Sequence, residues 1–190
     1  LISGFWSYLN YFCQGIFAVS IGLIFSQFLD VKEYGFFVTG ELVINFLSQF
    51  GELGLSNYIL NKDKINEKFL STSFSITLIT SLCLVIFINL FILIIPFANQ
   101  YSQVIFVVSC LSFIIPAKNL LSIIKSIWFR DLNNRLITKI SIFSEINSFI
   151  ISLLILYQFD ILTALIVFTI SKPWLKLLIS LKLKNFKLRF

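Results

Sequence analysis

Long apolar runs, broken at short intervals by polar clusters, dominate the chain, and their length sets the expected architecture. A helix rises about 1.5 Å per residue, so about 20 apolar residues cross the hydrocarbon core of a bilayer. By that ruler the sequence predicts spans near residues 3–28, 35–59, 71–96, 103–124, 139–157 and 161–181. The runs are too long for barrel strands, which alternate over about ten residues. The expected fold is all-α: residues 1–190 form a single polytopic unit of six transmembrane helices.

Polar residues inside these runs recur on helical spacing. The first span carries Ser3, Ser7, Asn10 and Gln14, and the second Glu41, Asn45, Ser48 and Glu52. The fifth carries Ser141, Ser144 or Glu145, Ser148 and Ser152. Steps of three and four place each set on one helix face. Lipid cannot satisfy such groups, so the stripes are expected to face one another or a water-filled cavity. The Ser and Asn positions suit interhelical hydrogen bonds of about 0.6 kcal/mol each. Glu41 and Glu145 suit a cavity or ion-coupling role instead. A carboxylate at a helix centre costs about 2.5–3.5 kcal/mol, and it needs a partner or takes up a proton near neutral pH. Glu52, close in sequence to Lys62 and Lys64, reads as an ion pair or helix-end contact.

Lys172 interrupts the last span and Pro173 follows it, removing a backbone donor and predicting a kink. Lys176 lies one turn further on the same face. Two readings stand: both lysines snorkel to headgroups, or both line a cavity and meet an anionic group such as pyrophosphate. Ahead of the second span, Asp30 and Glu33 form an Asp-headed capping box. Tyr34 is expected at headgroup depth, with Gly35 permitting close helix approach.

Composition and charge sharpen this picture. The chain is 58% hydrophobic and 13% charged with a mean hydropathy of +0.95, too little polar surface to coat a water-soluble globule. All 15 Lys and Arg except Lys32 fall on or beside one membrane face if six helices alternate. By the positive-inside rule, the N-terminus and the tail "LKLKNFKLRF" are cytoplasmic. The net charge of +6 is thus a topology signal, with no reason to expect nucleic acid. The stretch "KSIWFRDLNNRLITK" (125–139) reads as one long polar connection, with Trp128 and Phe129 turned down into the interface. Cys13, Cys83 and Cys110 are scattered and there is no His, so neither a metal nor another cofactor is expected. The absence of Met suggests a piece of a longer protein, and the first apolar run, lacking a basic leader and a cleavage site, reads as a span.

"FLDVKEYGFF", then "FGELGLSNYIL" and a short basic loop, resembles the N-terminal part of polysaccharide flippases. These are the O-antigen and capsule exporters of the multidrug/oligosaccharidyl-lipid/polysaccharide (MATE-like) superfamily. The resemblance is carried by Leu29, Glu33, Tyr34, Gly35 and Phe36, then Glu52, Leu53, Gly54 and Leu55. Gly4, Trp6 and "SIWFRDLNNRLI" add to it. It implies one six-helix lobe that pairs with a missing C-terminal lobe around a central cavity in the bacterial inner membrane. The implied cargo is an oligosaccharide on undecaprenyl pyrophosphate, moved to the outer leaflet by alternating access, with a coupling proton or sodium ion. Related lipid flippases place basic residues for the pyrophosphate on the first helix. This first helix offers Asn10 and Gln14 instead, which leaves that role to Lys172 and Lys176.

Two other classes fit parts of the pattern. A cation-coupled multidrug exporter of the same superfamily would use Glu41 and Glu145 as its acidic cavity. A membrane-embedded glycan polymerase or acyltransferase would need a positioned base or metal, usually on a sizeable outer loop. The expectation is a carrier and not an enzyme.

Overall fold

The computed structural model describes residues 2–62, 65–94 and 102–184, which form helices and connecting turns. In chain order these are α1 (Ile2–Phe28), α2 (Val31–Glu52), α3 (Leu55–Asn61), α4 (Glu67–Ile94), α5 (Ser102–Ser112), α6 (Ile114–Arg130), α7 (Asn134–Leu156) and α8 (Ile161–Lys184). Five stretches among the described residues are long and apolar enough to cross a membrane: Gly4–Phe25, Glu67–Ile94, Ser102–Arg130, Asn134–Leu156 and Ile161–Leu183. The sixth predicted span, near 35–59, is not among them. Glu41, Asn45, Ser48 and Gln49 dilute the apolarity of α2, and the helix stops at Glu52.

The turns explain the boundaries. Asp30 caps α2 by accepting from the Val31 amide at 3.0 Å. Glu33 lines an open groove of about 570 Å³ with Gln103 and Asp160, at the end of the bundle that holds the α1–α2 and α7–α8 turns. Between α2 and α3 the backbone is left-handed twice, at Leu53 (φ 51°) and Gly54 (φ 70°). Glycine adopts that conformation at no steric cost, whereas Leu53 carries about 1 kcal/mol of strain. A one-residue break at Phe113 separates α5 from α6. Pro116 has no amide for the Ser112 carbonyl and its ring crowds that oxygen, so the helix opens one turn before the proline. The indole of Trp174, on α8, donates to the Phe113 carbonyl at 3.1 Å and ties the break to the last helix.

Residues 125–139 are not a long polar connection. Helix α6 continues to Arg130 and closes in a Schellman turn, with the Asn133 amide on the Trp128 carbonyl at 2.9 Å and the Leu132 amide on that of Phe129 at 3.1 Å. Leu132 holds the left-handed position (φ 51°) that glycine usually fills. Trp128 is buried in the same hydrophobic cluster as Leu120 and Phe74 and is not turned out to an interface. One reading near Tyr34 also changes: beside its half-buried ring, a methyl group at Gly35 would meet open space, so none of the described helices approaches closely there. The close approaches lie further along α2. A Cβ on Gly40 would stand 2.6 Å from Val107, and one on Gly51 2.3 Å from the Asn119 amide nitrogen.

Helix α6 is the central element, packed by α2, α3, α4 and α8; α7 lies against α8, and α1 covers α7. The core has two main tiers. One gathers Phe25, Phe37, Ile88, Leu111, Ile115 and Phe168. The other gathers Phe74, Leu120, Ile124, Trp128, Ile140 and Leu177. On α4, α6, α7 and α8 polar residues lie between the tiers: the buried Ser81, Asn119, Glu145 and Lys176 and the half-buried Lys172, with the exposed Lys118 beside them on α6. A polar layer therefore divides the hydrophobic interior.

Candidate functional site: a charged layer inside the bundle

Glu145 is the centre of that layer. Its side chain is fully buried, and one carboxylate oxygen, Oε1, holds the ammonium of Lys172 at 2.9 Å and that of Lys176 at 3.4 Å. The other oxygen, Oε2, has no hydrogen-bond partner among the described residues. Lys176 is almost as buried as Glu145, whereas the Lys172 side chain is 29% exposed and opens the cluster to its surroundings. Lys125, on α6, lies within electrostatic range of both Lys172 and Glu145. Two cations thus contact one anion, with a third in electrostatic range. Burying an unpaired charge costs several kcal/mol, so Glu145 holds Lys172 and Lys176 in the core and they hold it in turn. The two lysines do not simply snorkel to the membrane surface. Pro173 lies between them inside a helix that continues past it.

A second group joins α2 to α6. The Lys118 ammonium donates to Asn45 Oδ1 at 2.8 Å and to Ser48 Oγ at 3.2 Å. It lies within electrostatic range of Glu41 and Glu52, and it and Lys125 repel one another as like charges. Glu41 is half-buried and not fully enclosed. Glu52 also accepts from the Ser56 hydroxyl, a helix-end contact. Next to this group, Asn119 donates to Ser81 Oγ at 3.0 Å, and Thr80 to the Gly51 carbonyl at 2.9 Å.

The stripe on α1 stays apart from the lysines. Gln14 donates to Asn10 on its own helix at 2.9 Å, and Asn10 is buried. Ser7 accepts from Asn134 at 2.8 Å, and Thr138 reaches the Trp6 carbonyl at 3.0 Å. That stripe holds α1 on α7. Glu145, Lys172 and Lys176 therefore come together, while Asn45 meets Lys118 in a separate group with Glu41 in range. Asn10 and Gln14 do not.

Lys125 is a residue that reading the sequence assigns to the wrong place. As part of the connection after the fourth span it marks topology, but it stands within α6, as Lys118 does inside that span. The signal is their spacing: Lys118, Ser122 and Lys125 recur at four and three within an apolar run. Asn89, which links α4 to Ser109 and Ser112 of α5, is a second omission. Lys64 lies outside the described residues, as do Lys187 and Arg189 of the basic tail.

Helices long enough to span a membrane, enclosing a charged layer, define a polytopic all-α membrane protein. A family profile described as polysaccharide biosynthesis protein matches residues 24–190, and the chain belongs to that family. Comparison with curated proteins and with solved structures finds no match.

Proposed function

We propose that this chain is one lobe of a flippase that moves a lipid-linked oligosaccharide from the cytoplasmic to the outer leaflet of the bacterial inner membrane. Family membership supports a role in making cell-surface polysaccharide. The observation that carries the transport reading is the cluster of Lys172, Lys176 and Lys125 around the buried Glu145. An excess of positive charge between two hydrophobic tiers suits a cargo with a phosphate headgroup and a polyprenyl tail, as undecaprenyl pyrophosphate has. In this reading α2 is the sixth span, a second lobe completes a MATE-like pair, and the two rock in alternating access, driven by a proton or sodium ion. The N-terminus and the basic end face the cytoplasm, O-antigen or capsule is the final product, and the protein is a carrier and not an enzyme.

The multidrug-exporter reading is weaker because its acidic candidates already face internal cations: Glu145 holds two ammonium groups and Glu41 lies within range of Lys118. The test is genetic. Deletion should abolish surface glycan while lipid-linked repeat units accumulate at the cytoplasmic face, and a Lys172→Gln, Lys176→Gln double variant should fail to restore export. Intact glycan with altered drug tolerance would refute the proposal in favour of the exporter.

A further inference from the structure

The geometry of the Glu145 cluster is lopsided. Both lysine contacts fall on Oε1, while Oε2 is buried without a partner. Ser148 and Ser152, on the same face of α7, are fully buried, and their hydroxyls have no partner among the described residues. The site therefore holds more cation than its anion neutralises and more polar groups than it pairs. A purely structural ion pair is expected to have its remaining lone pairs satisfied. Lys172 is the part-exposed member, and the proline beside it leaves α8 without one backbone hydrogen bond at that turn.

We propose that Glu145 is a built-in competing anion: it holds Lys172 and Lys176 while the carrier is empty and yields them, Lys172 first, to a phosphate group of the cargo. This rests on the flippase reading above and adds a task to it. A carrier must bind its cargo firmly enough to load and weakly enough to release. A carboxylate tethered among the cargo's cations lowers affinity through like-charge repulsion and re-forms its ion pairs as the phosphate leaves. Glu145 is thus a positioning residue that sets how long the cargo stays.

The probe is farnesyl pyrophosphate, with inorganic pyrophosphate and farnesol as companions, on the purified full chain in lipid nanodiscs. Glu145→Gln should bind farnesyl pyrophosphate more tightly than wild type, on the order of tenfold, because a like charge a few ångströms away is gone. Lys172→Gln should bind it more weakly. Comparable binding of inorganic pyrophosphate would identify the phosphate alone as the ligand, and preference for the farnesyl form a lipid headgroup. Farnesol should bind equally to all variants. Unchanged or weaker binding by Glu145→Gln, with Lys172→Gln still impaired, would overturn the competing-anion role and leave the flippase reading standing. Indifference of binding to both substitutions would overturn the phosphate site itself.

A second measurement uses the wild-type protein and does not depend on a variant folding. Dicyclohexylcarbodiimide should join Glu145 to Lys172 or Lys176 in the empty protein, read as a cross-linked peptide by mass spectrometry. Farnesyl pyrophosphate should deplete that product and farnesol should not. Equal yield with and without farnesyl pyrophosphate would show that Glu145 never yields its lysines.

Discussion

Gly51→Ala tests whether the polar layer depends on the close approach of α2 to α6. The added Cβ would stand 2.3 Å from Asn119 Nδ2, 3.1 Å from Leu84 Cδ1 and 3.3 Å from Ser81 Oγ. The first distance is too short to persist, so the buried Asn119 amide must turn from Ser81, to which it now donates at 3.0 Å. Overpacking costs about 1–3 kcal/mol, and leaving a buried amide unpaired adds about 1–3 kcal/mol. Gly51 stands in the last turn of α2, and exchanging a helical glycine for alanine returns about 1 kcal/mol. The net expectation is a loss of about 1–5 kcal/mol, to be read from unfolding of purified protein in a graded denaturing detergent. Gly22→Ala is the control: it lies mid-helix on α1, where a Cβ meets nothing within 4 Å, and should be neutral or slightly stabilising. Adding Asn119→Ser to Gly51→Ala should recover part of the loss, because the crowded amide is removed. If Gly51→Ala unfolds at or above the wild-type midpoint, the helices do not meet there as described and the reasoning fails.

Other substitutions probe the remaining joints. Leu132→Gly should stabilise the protein by about 1 kcal/mol by relieving the left-handed strain of the Schellman turn, visible as a higher unfolding midpoint. Lys118→Ala should release Asn45 and Ser48 on α2; glycan export should fall while helix content, measured by circular dichroism, is kept. Glu145→Leu should destabilise the fold by about 3–5 kcal/mol because Lys176 is left buried and uncompensated, and Lys176→Met in the same protein should restore much of it. Trp174→Phe should cost about 1 kcal/mol through loss of the indole bond to the Phe113 carbonyl, by the same unfolding assay.

Much of this arrangement is legible in the sequence, and the misses have physical causes. The apolar runs mark the crossing helices because run length is a direct consequence of bilayer thickness. Glu145 stands out as a carboxylate spaced with serines in an apolar stretch, and Lys172 and Lys176 as a helical pair. Their meeting cannot be read, because it depends on the register of α7 against α8. Lys125 is misassigned for a related reason: a charge that closes a hydropathy window looks the same whether the helix ends there or continues past it. Trp128 is ambiguous in kind, since an indole beside an arginine suits an interface as well as a core. The break at Leu53–Gly54 is hidden because a leucine in the left-handed region has no sequence signature. Gly35 and Gly51 look alike in sequence, and only the neighbouring helices distinguish open space from contact.

The placement of Glu145 between two greasy tiers also limits how the bundle can move. Sliding α8 past α7 by one helical turn, about 5.4 Å, would withdraw both ammonium groups and press them among Phe168 or Leu177 and their neighbours. Such a piston stroke is barred by the same solvation penalty that keeps the ions together. While these ion pairs are in place, any large excursion must therefore carry α7 and α8 as one block, with the joint keyed by charge and the bending left to the margins.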